Sequence, residues 1–401
     1  MSMISGQQQN RSYHFVFHGQ VWSYFVICLV NVILSVITLG IFIPWAWVRS
    51  RRYLCENMEF NGARFGYHGR GITILLSWVL IFVMLVLLSL ALAIFYPGSE
   101  GIGGILFLML LPVMITKGLS YHASMTSLDK IRFGFQCHPL RAWWVMLGMP
   151  VLIYVLMVVV FSMVARYLSF YYGANGINSM VLGIIFLALL TLLITGITNG
   201  VVYSHWLKLV GKGTTFGANK FNINISTKRC VIIFLLATVI LLPFILLFIV
   251  FSVSVFSQMI VGCMFGLCTE STALLMALQH LGVVMGGFLF LAMGIVLSTT
   301  YTWAALRNHA LNNLVLGDSV HFRSTLTFYG LAPRLLGLAF LPLLTLGLAY
   351  PWLKIHLIRY ITENTAVVGE LDSLDLEAAV APQPATSDKL CSGFFPMLPF
   401  L

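Results

Sequence analysis

Long apolar segments separated by short polar ones organise the chain, running roughly from Val21 to Trp47, Ile72 to Tyr96, Gly101 to Thr116, Trp143 to Ala165, Met180 to Tyr203, Val231 to Ser257, Ala273 to Ala305 and Leu331 to Leu353. About 20 apolar residues cross a bilayer as a helix. Unbroken apolar runs satisfy their backbone in hydrocarbon only as helices, because barrel strands of about 10 residues alternate in polarity. The pattern predicts an all-α polytopic membrane protein of six to eight transmembrane helices over residues 21–365.

A second period appears between the runs. Phe65-Gly66-Tyr67, Phe133-Gly134-Phe135, Phe221-Asn222-Ile223 and, ahead of the first run, Phe15-Val16-Phe17 alternate with period two. Such alternation bounded by glycine predicts short strands or hairpins, gathered from several loops into a small cytoplasmic β-layer. Asn57, Phe60, Gly62 and Phe65 share spacing with Asn312, Val315, Gly317 and Val320, and Gly213 and Phe216 take the last two positions in a third loop.

Composition fixes the class: 60% hydrophobic residues, 8% charged and a mean hydropathy of +0.96 exclude a water-facing surface around soluble cores. Charge then fixes orientation. Arg49, Arg51, Arg52, Arg64 and Arg70 follow the first run, Lys117, Lys130, Arg132 and Arg141 the third, Lys208, Lys212, Lys220, Lys228 and Arg229 the fifth, and Arg307, Arg323 and Arg334 the seventh. The intervening loops hold only Arg166. Under the positive-inside rule the basic loops are cytoplasmic, which for a bacterial chain means the inner membrane. The net charge of +10 is thus a topology signal and not a nucleic-acid footprint, and the partner it implies is the lipid bilayer. Residues 1–20 carry no secretory signal and form a cytoplasmic N-terminal segment. Residues 366–401, acidic and then Pro-rich, are expected to be a disordered tail.

One element is duplicated. Thr38-Leu39-Gly40-Ile41-Phe42-Ile43-Pro44-Trp45 recurs as Thr345-Leu346-Gly347-Leu348-Ala349-Tyr350-Pro351-Trp352, at an offset of 345 − 38 = 307. In that register Arg52-Tyr53 matches Arg359-Tyr360, Glu56-Asn57 matches Glu363-Asn364, and Gly62 matches Gly369. Eight spans would put the two copies of Arg-Tyr on opposite sides of the bilayer. Re-entrant helical hairpins at both ends, breaking at Thr38-Leu39-Gly40 and Thr345-Leu346-Gly347, would keep them on one side. Eight spanning helices with kinks near Pro44 and Pro351 are the alternative, and an inverted repeat also fits that version.

Phe17-His18-Gly19, the Thr-Leu-Gly-x3-Pro-Trp element, Trp47-Val48-Arg49-Ser50-Arg51-Arg52-Tyr53, and Asn61-Gly62-x2-Phe65-x-Tyr67-His68-Gly69 together resemble the YjgN-like family of bacterial inner-membrane proteins. The resemblance runs from about Tyr13 to Gly369. It implies a membrane location, and the family, being of unknown function, supplies no catalytic residue. The second copy of the element has only Lys354 and Arg359 where the first has Arg49, Arg51 and Arg52.

Candidate chemistry is sparse. No acidic residue falls inside an apolar run, which removes support for a proton relay. Asn31, Asn199, Gln279 and His280 are the polar residues left there, each either interhelical glue or part of a solute path. Nine further histidines, spread over the cytoplasmic face and the first and last segments, lack ligand spacing, and no cofactor or metal is assigned. Cys263 and Cys268 share a periplasmic loop, as a disulfide or as two small apolar residues. Gly211-Lys212-Gly213 lacks the upstream glycine of a phosphate loop, and no hydrolase or zinc motif is present.

The leading expectation is passage of a small solute or ion. The breaks around Thr38, Gly40, Pro44 and Trp45 and around Thr345, Gly347, Pro351 and Trp352 would free backbone groups to line a polar route. A non-catalytic scaffold or lipid-binding protein is the alternative, and a lipid-modifying enzyme the second. A sealed apolar interior with a groove open to lipid would favour the lipid-binding classes.

Overall fold

The computed structural model describes residues 12–95, 100–172, 177–264, 281–317, 319–370 and 384–393. Ten antiparallel strands close into a barrel in the order β1-β10-β9-β8-β7-β6-β5-β4-β3-β2. This overturns the all-α expectation: the cytoplasmic β-layer anticipated from the loops is a complete barrel, to which helices are attached.

Five strand–helix–helix–strand units build it. The first is β1 (Ser12–Phe17), α1 (Val21–Ile37), α2 (Ile43–Glu56) and β2 (Met58–Phe60), and the second β3 (Ala63–Tyr67), α3 (Gly71–Phe95), α4 (Glu100–Met125) and β4 (Thr126–Leu128). In the third, β5 (Ile131–Phe135) leads to α5 (Pro139–Trp143), a π turn (Trp144–Gly148), α6 (Met149–Tyr172), α7 (Ile177–Gly213) and β6 (Thr214–Phe216). The fourth holds β7 (Asn219–Ile223), α8 (Thr227–Met264), α9 (Leu281–Leu311) and β8 (Leu314–Leu316), and the fifth β9 (Val320–Ser324), α10 (Phe328–Leu344), α11 (Tyr350–Glu363) and β10 (Thr365–Gly369). A short α12 (Thr386–Leu390) follows.

Tight turns join successive units. Asn61 and Gly62 take φ of 48° and 80°, and Asp129 and Lys130 take 46° and 67°, the left-handed pairs that match the twist of two-residue hairpins. In the third hairpin the turn residue is Gly217, at φ 57°, and not Gly213, which ends α7. The repeat among the loops is therefore out of register there. All these turns lie at one barrel end, so every helix pair leaves and returns at the other.

Strands of three to five residues are marginal in isolated hairpins, and closure supplies the missing partners while leaving no edge. The closing pair joins the chain's two ends, Ser12 opposite Val368 and His14 opposite Ala366. Period-two alternation points one face of each strand into a single apolar cluster. Tyr13, Phe15, Phe60, Phe65, Leu128, Phe133, Phe216, Phe221, Leu316, Val320, Phe322 and Val367 bring residues from all ten strands into it. Phe15 and Phe65 lie 6.3 Å apart between ring centroids, Phe65 and Phe133 6.4 Å, Phe133 and Phe216 4.8 Å, and Phe221 and Phe322 5.9 Å. The lumen is thus packed with side chains, as expected of a small barrel. His14, Arg64, Lys220, His321 and Arg323 alternate onto the exposed outer face.

Below the barrel the helices touch in a closed circuit, α1 to α2, α3, α4, α5, the π turn, α6, α7, α8, α9, α10, α11 and back to α1. Six helices are long and apolar enough to cross a membrane, at Gly71–Phe95, Ile102–Met125, Pro139–Tyr167, Phe186–Gly213, Thr227–Ser252 and Leu281–Leu311. In the most apolar stretches of α3 and α6 only 6% of residues are buried, a surface suited to hydrocarbon and not to water.

The first and fifth units carry short hairpins instead. α1 and α2 have 17 and 14 residues, about 26 and 21 Å long, and α10 and α11 have the same lengths. Both hairpins turn at the duplicated element with the same geometry. Leu39 and Gly40 take φ of 50° and 90°, and Leu346 and Gly347 take 49° and 88°. The Thr38 hydroxyl donates to Leu34 O at 2.7 Å and accepts from the Phe42 amide at 3.0 Å, as Thr345 does with Leu341 O at 2.8 Å and the Ala349 amide at 3.1 Å. Pro44 and Pro351 sit in the first turn of the returning helix, where a missing N–H costs nothing. Because both units leave and re-enter at one barrel end, Arg52-Tyr53 and Arg359-Tyr360 occupy equivalent positions, and the parity conflict disappears.

Candidate functional site

The polar side chains that α4 carries toward the barrel meet the end of the chain. α12 and the residues after it pack between α3 and α4. Lys117 Nζ lies 3.0 Å from Asp388 Oδ1, and the Ser120 hydroxyl donates to Asp388 Oδ2 at 2.9 Å. Lys117, Ser120 and Ser124 follow helical spacing and so share one face of α4. Asp388 is only 7% exposed, and Ser392 1%.

The rest of the segment docks through its backbone. The Ser77 hydroxyl donates to Leu390 O at 2.7 Å and accepts from the Gly393 amide at 3.1 Å, and Trp78 Nε1 donates to Gly393 O at 3.2 Å. A Cβ on Gly393 would collide with Trp78 Cδ1, so only glycine fits that close approach. Of the residues expected to form a disordered tail, 366–369 belong to β10 and 384–393 to this docked segment, and the acidic stretch 371–383 lies outside the described residues.

A cavity of about 560 Å³ adjoins the Lys117–Asp388 pair. It is lined by Thr116, Lys117, Ser120 and Ser124 of α4, by Gln136, Cys137 and His138 leading from β5 to α5, and by Pro384, Ala385 and Asp388. Lys117 lies nine positions before the first residue of β4, about 13.5 Å along the helix. Leu140 and Trp144 are exposed just beyond His138. Burial pushes the Cys137 thiol above its usual range against the opposing pull of Arg141.

His122 ties this segment to the barrel. Its Nε2 lies 2.9 Å from Ser392 O, and its Nδ1 lies 2.9 Å from the Tyr67 hydroxyl at the end of β3. The Arg51 guanidinium stands 4.8 Å from the Tyr67 ring centroid and 5.4 Å from that of Trp47. Its Nη1 is buried with no hydrogen-bond partner among the described residues, so the charge rests on ring faces. Burial raises the Tyr67 hydroxyl pKa, with Arg51 acting in the opposite sense, so the hydroxyl stays protonated. Arg52 adds donors to Tyr67 O and Gly69 O at 3.3 and 3.4 Å.

The residues singled out from sequence as a polar path do not converge on this site. Asn31 is buried inside its own hairpin, its Nδ2 donating to Ala46 O and to the Ser50 hydroxyl, both at 3.1 Å. Asn199 is exposed on α7. Gln279 and His280 lie outside the described residues, as does the Cys263–Cys268 pairing. The helix-break residues form the hairpin turns already described. Sequence reasoning missed Ser120, Ser392 and Asp388, and read Lys117 and His122 only as cytoplasmic-side residues. The spacing of Lys117, Ser120 and Ser124 was a visible signal; nothing local marks Asp388, 268 positions from Ser120.

The family described as "Bacterial protein of unknown function (DUF898)" matches residues 12–392, from β1 through the docked segment. The inner membrane protein YjgN of Salmonella typhimurium LT2 is 37% identical over 406 residues, covering 100% of both chains. The proteins of that name from Escherichia coli O157:H7 and K12 are each 34% identical over 407 residues, again covering 100% of both chains. No solved structure matches. By this coverage, and with its six membrane-capable helices, the chain belongs to the DUF898 family of bacterial proteins and is a multi-pass inner-membrane protein.

Proposed function

We propose that the protein binds the headgroup of an anionic phospholipid at the junction of barrel and spans, without chemical turnover. The observation that carries this reading is the cavity of about 560 Å³ beside Lys117, within the range of small-ligand pockets. Its lining brings the Lys117 ammonium, paired here with Asp388, and the exposed His138 to a charged head, while exposed Leu140 and Trp144 offer apolar surface to chains. Basic residues on the strands and turns, among them Arg64, Lys130, Arg132 and Lys220, support a cytoplasmic barrel, facing the leaflet where anionic lipid attracts basic segments.

Passage of a solute loses its motivating argument. The breaks at Gly40 and Gly347 leave few backbone groups free, since the neighbouring amides are bonded within each turn. The barrel lumen is filled by aromatic and aliphatic side chains.

Native mass spectrometry of the detergent-solubilised protein with phosphatidylglycerol and phosphatidylcholine tests the reading. The expected result is preferential retention of phosphatidylglycerol, reduced about tenfold, or about 1.4 kcal/mol, in Lys117→Ala combined with His138→Ala. Equal retention of both lipids by the parent protein would overturn it.

A further inference from the structure

We infer that Asp388 occupies a phosphate-type anion site formed by Lys117 and Ser120, so that the segment 384–393 is a displaceable plug competing with the ligand of that site. This rests on the headgroup reading and adds its regulation. Three observations carry it.

The Asp388 carboxylate is placed as a bound oxyanion would be. One oxygen faces the Lys117 ammonium at 3.0 Å, and the other accepts from Ser120 at 2.9 Å. The Lys117 ammonium, its side chain 40% exposed, takes its counter-charge from this carboxylate, whose side chain is 9% exposed.

The plug fills only one side of the site. Beside the carboxylate the 560 Å³ cavity continues past Ser124, Gln136 and His138. An entering anion can therefore approach Lys117 before the carboxylate has left, and exchange needs no bare ammonium at any stage.

The plug is held by exchangeable contacts. Its bonds to Ser77, Trp78, Ser120 and His122 are hydrogen bonds that water or a ligand can replace, and its Leu390 is 44% exposed.

Labelling of Cys391 by a bulky maleimide, located by mass spectrometry on the full-length protein in nanodiscs, reads the plug directly. Phosphatidylglycerol nanodiscs are expected to raise the rate at least about fivefold over phosphatidylcholine nanodiscs. Inorganic phosphate in phosphatidylcholine nanodiscs is the arm that separates sources: a matching rise there assigns the site to the free anion and still supports the plug. Asp388→Asn, which keeps the shape and removes the charge, should raise labelling in phosphatidylcholine and increase phosphatidylglycerol retention. Labelling unchanged by either anion and by Asp388→Asn overturns the plug. If phosphatidylglycerol is then still retained selectively, the headgroup reading survives; if it is not, both fail.

Discussion

Tyr53 and Tyr360, 307 positions apart, lock the two short hairpins in the same way. The Tyr53 hydroxyl donates to Gln20 O at 3.0 Å and accepts from the Gln20 amide at 2.9 Å. The Tyr360 hydroxyl lies 3.0 Å from Thr327 Oγ1 and accepts from the Thr327 amide at 3.3 Å. Each ties the returning helix to the residue that precedes the outgoing one, 33 positions upstream. Tyr53→Phe and Tyr360→Phe should each cost about 1 kcal/mol, seen as a lowered midpoint in thermal unfolding of the solubilised protein. An unchanged midpoint for both would show that the hydroxyls contribute nothing to closure.

The phenylalanines inside the barrel should behave as a core and not as a gate. Phe65→Ala removes a ring packed against Phe15 and Phe133, at a cost of about 3–5 kcal/mol, whereas Phe65→Leu should cost much less. Thermal and denaturant unfolding of the two variants provide the comparison. Solute leak through vesicles carrying Phe65→Ala, with stability retained, would contradict a lumen closed by packing.

At the hairpin tips, Gly40 and Gly347 hold φ near +90°, where a side chain is strained even in open space. Gly40→Leu and Gly347→Leu should each destabilise by about 1–2 kcal/mol. A Cβ added at Gly104 would meet nothing within 4 Å, and the residue lies in ordinary helix, so Gly104→Ala should be tolerated. Equal midpoints for the Gly40 and Gly104 variants would remove backbone strain as the reason for the repeated glycine.

His122 couples the plug to the barrel, so replacing it should loosen both. His122→Phe keeps an aromatic ring against Trp47 and Tyr121 and leaves the Tyr67 hydroxyl and the Ser392 carbonyl without their partner. Each unpaired buried group costs about 1–3 kcal/mol. Limited proteolysis should then cleave the C-terminal segment severalfold faster, and a cleavage rate equal to the parent's would count against the coupling.

Cys137 lines the cavity with its thiol pKa raised by burial, so less of it is thiolate at neutral pH than in a free cysteine. Its alkylation should be slow near pH 7, accelerate at alkaline pH beyond the range of an ordinary thiol, and become normal on denaturation. Iodoacetamide rates followed by mass spectrometry across pH give the profile. A profile matching free cysteine would place the thiol in water.

The sequence alone determined the membrane class, the apolar runs and the duplicated break, because hydropathy and an identity repeated at an offset of 307 are written directly in residue order, while six or eight spans stayed open. It also pointed to β1, β3, β5 and β7, since Phe65-Gly66-Tyr67 and its counterparts alternate visibly, but not to the three-residue strands that pair with them. Closure was decided only in three dimensions: Ser12 pairs with Val368 across nearly the whole chain, and no local pattern tells a strand which distant edge it will meet. The same holds for the site. Asn31 looked like part of a path because hydrocarbon forbids an unpaired amide, yet its partners Ala46 and Ser50 lie in the next helix of its own hairpin. Asp388 looked like part of a solvated tail because its neighbours are polar, and only the fold brings it to Lys117, where burial turns a surface charge into half of an ion pair.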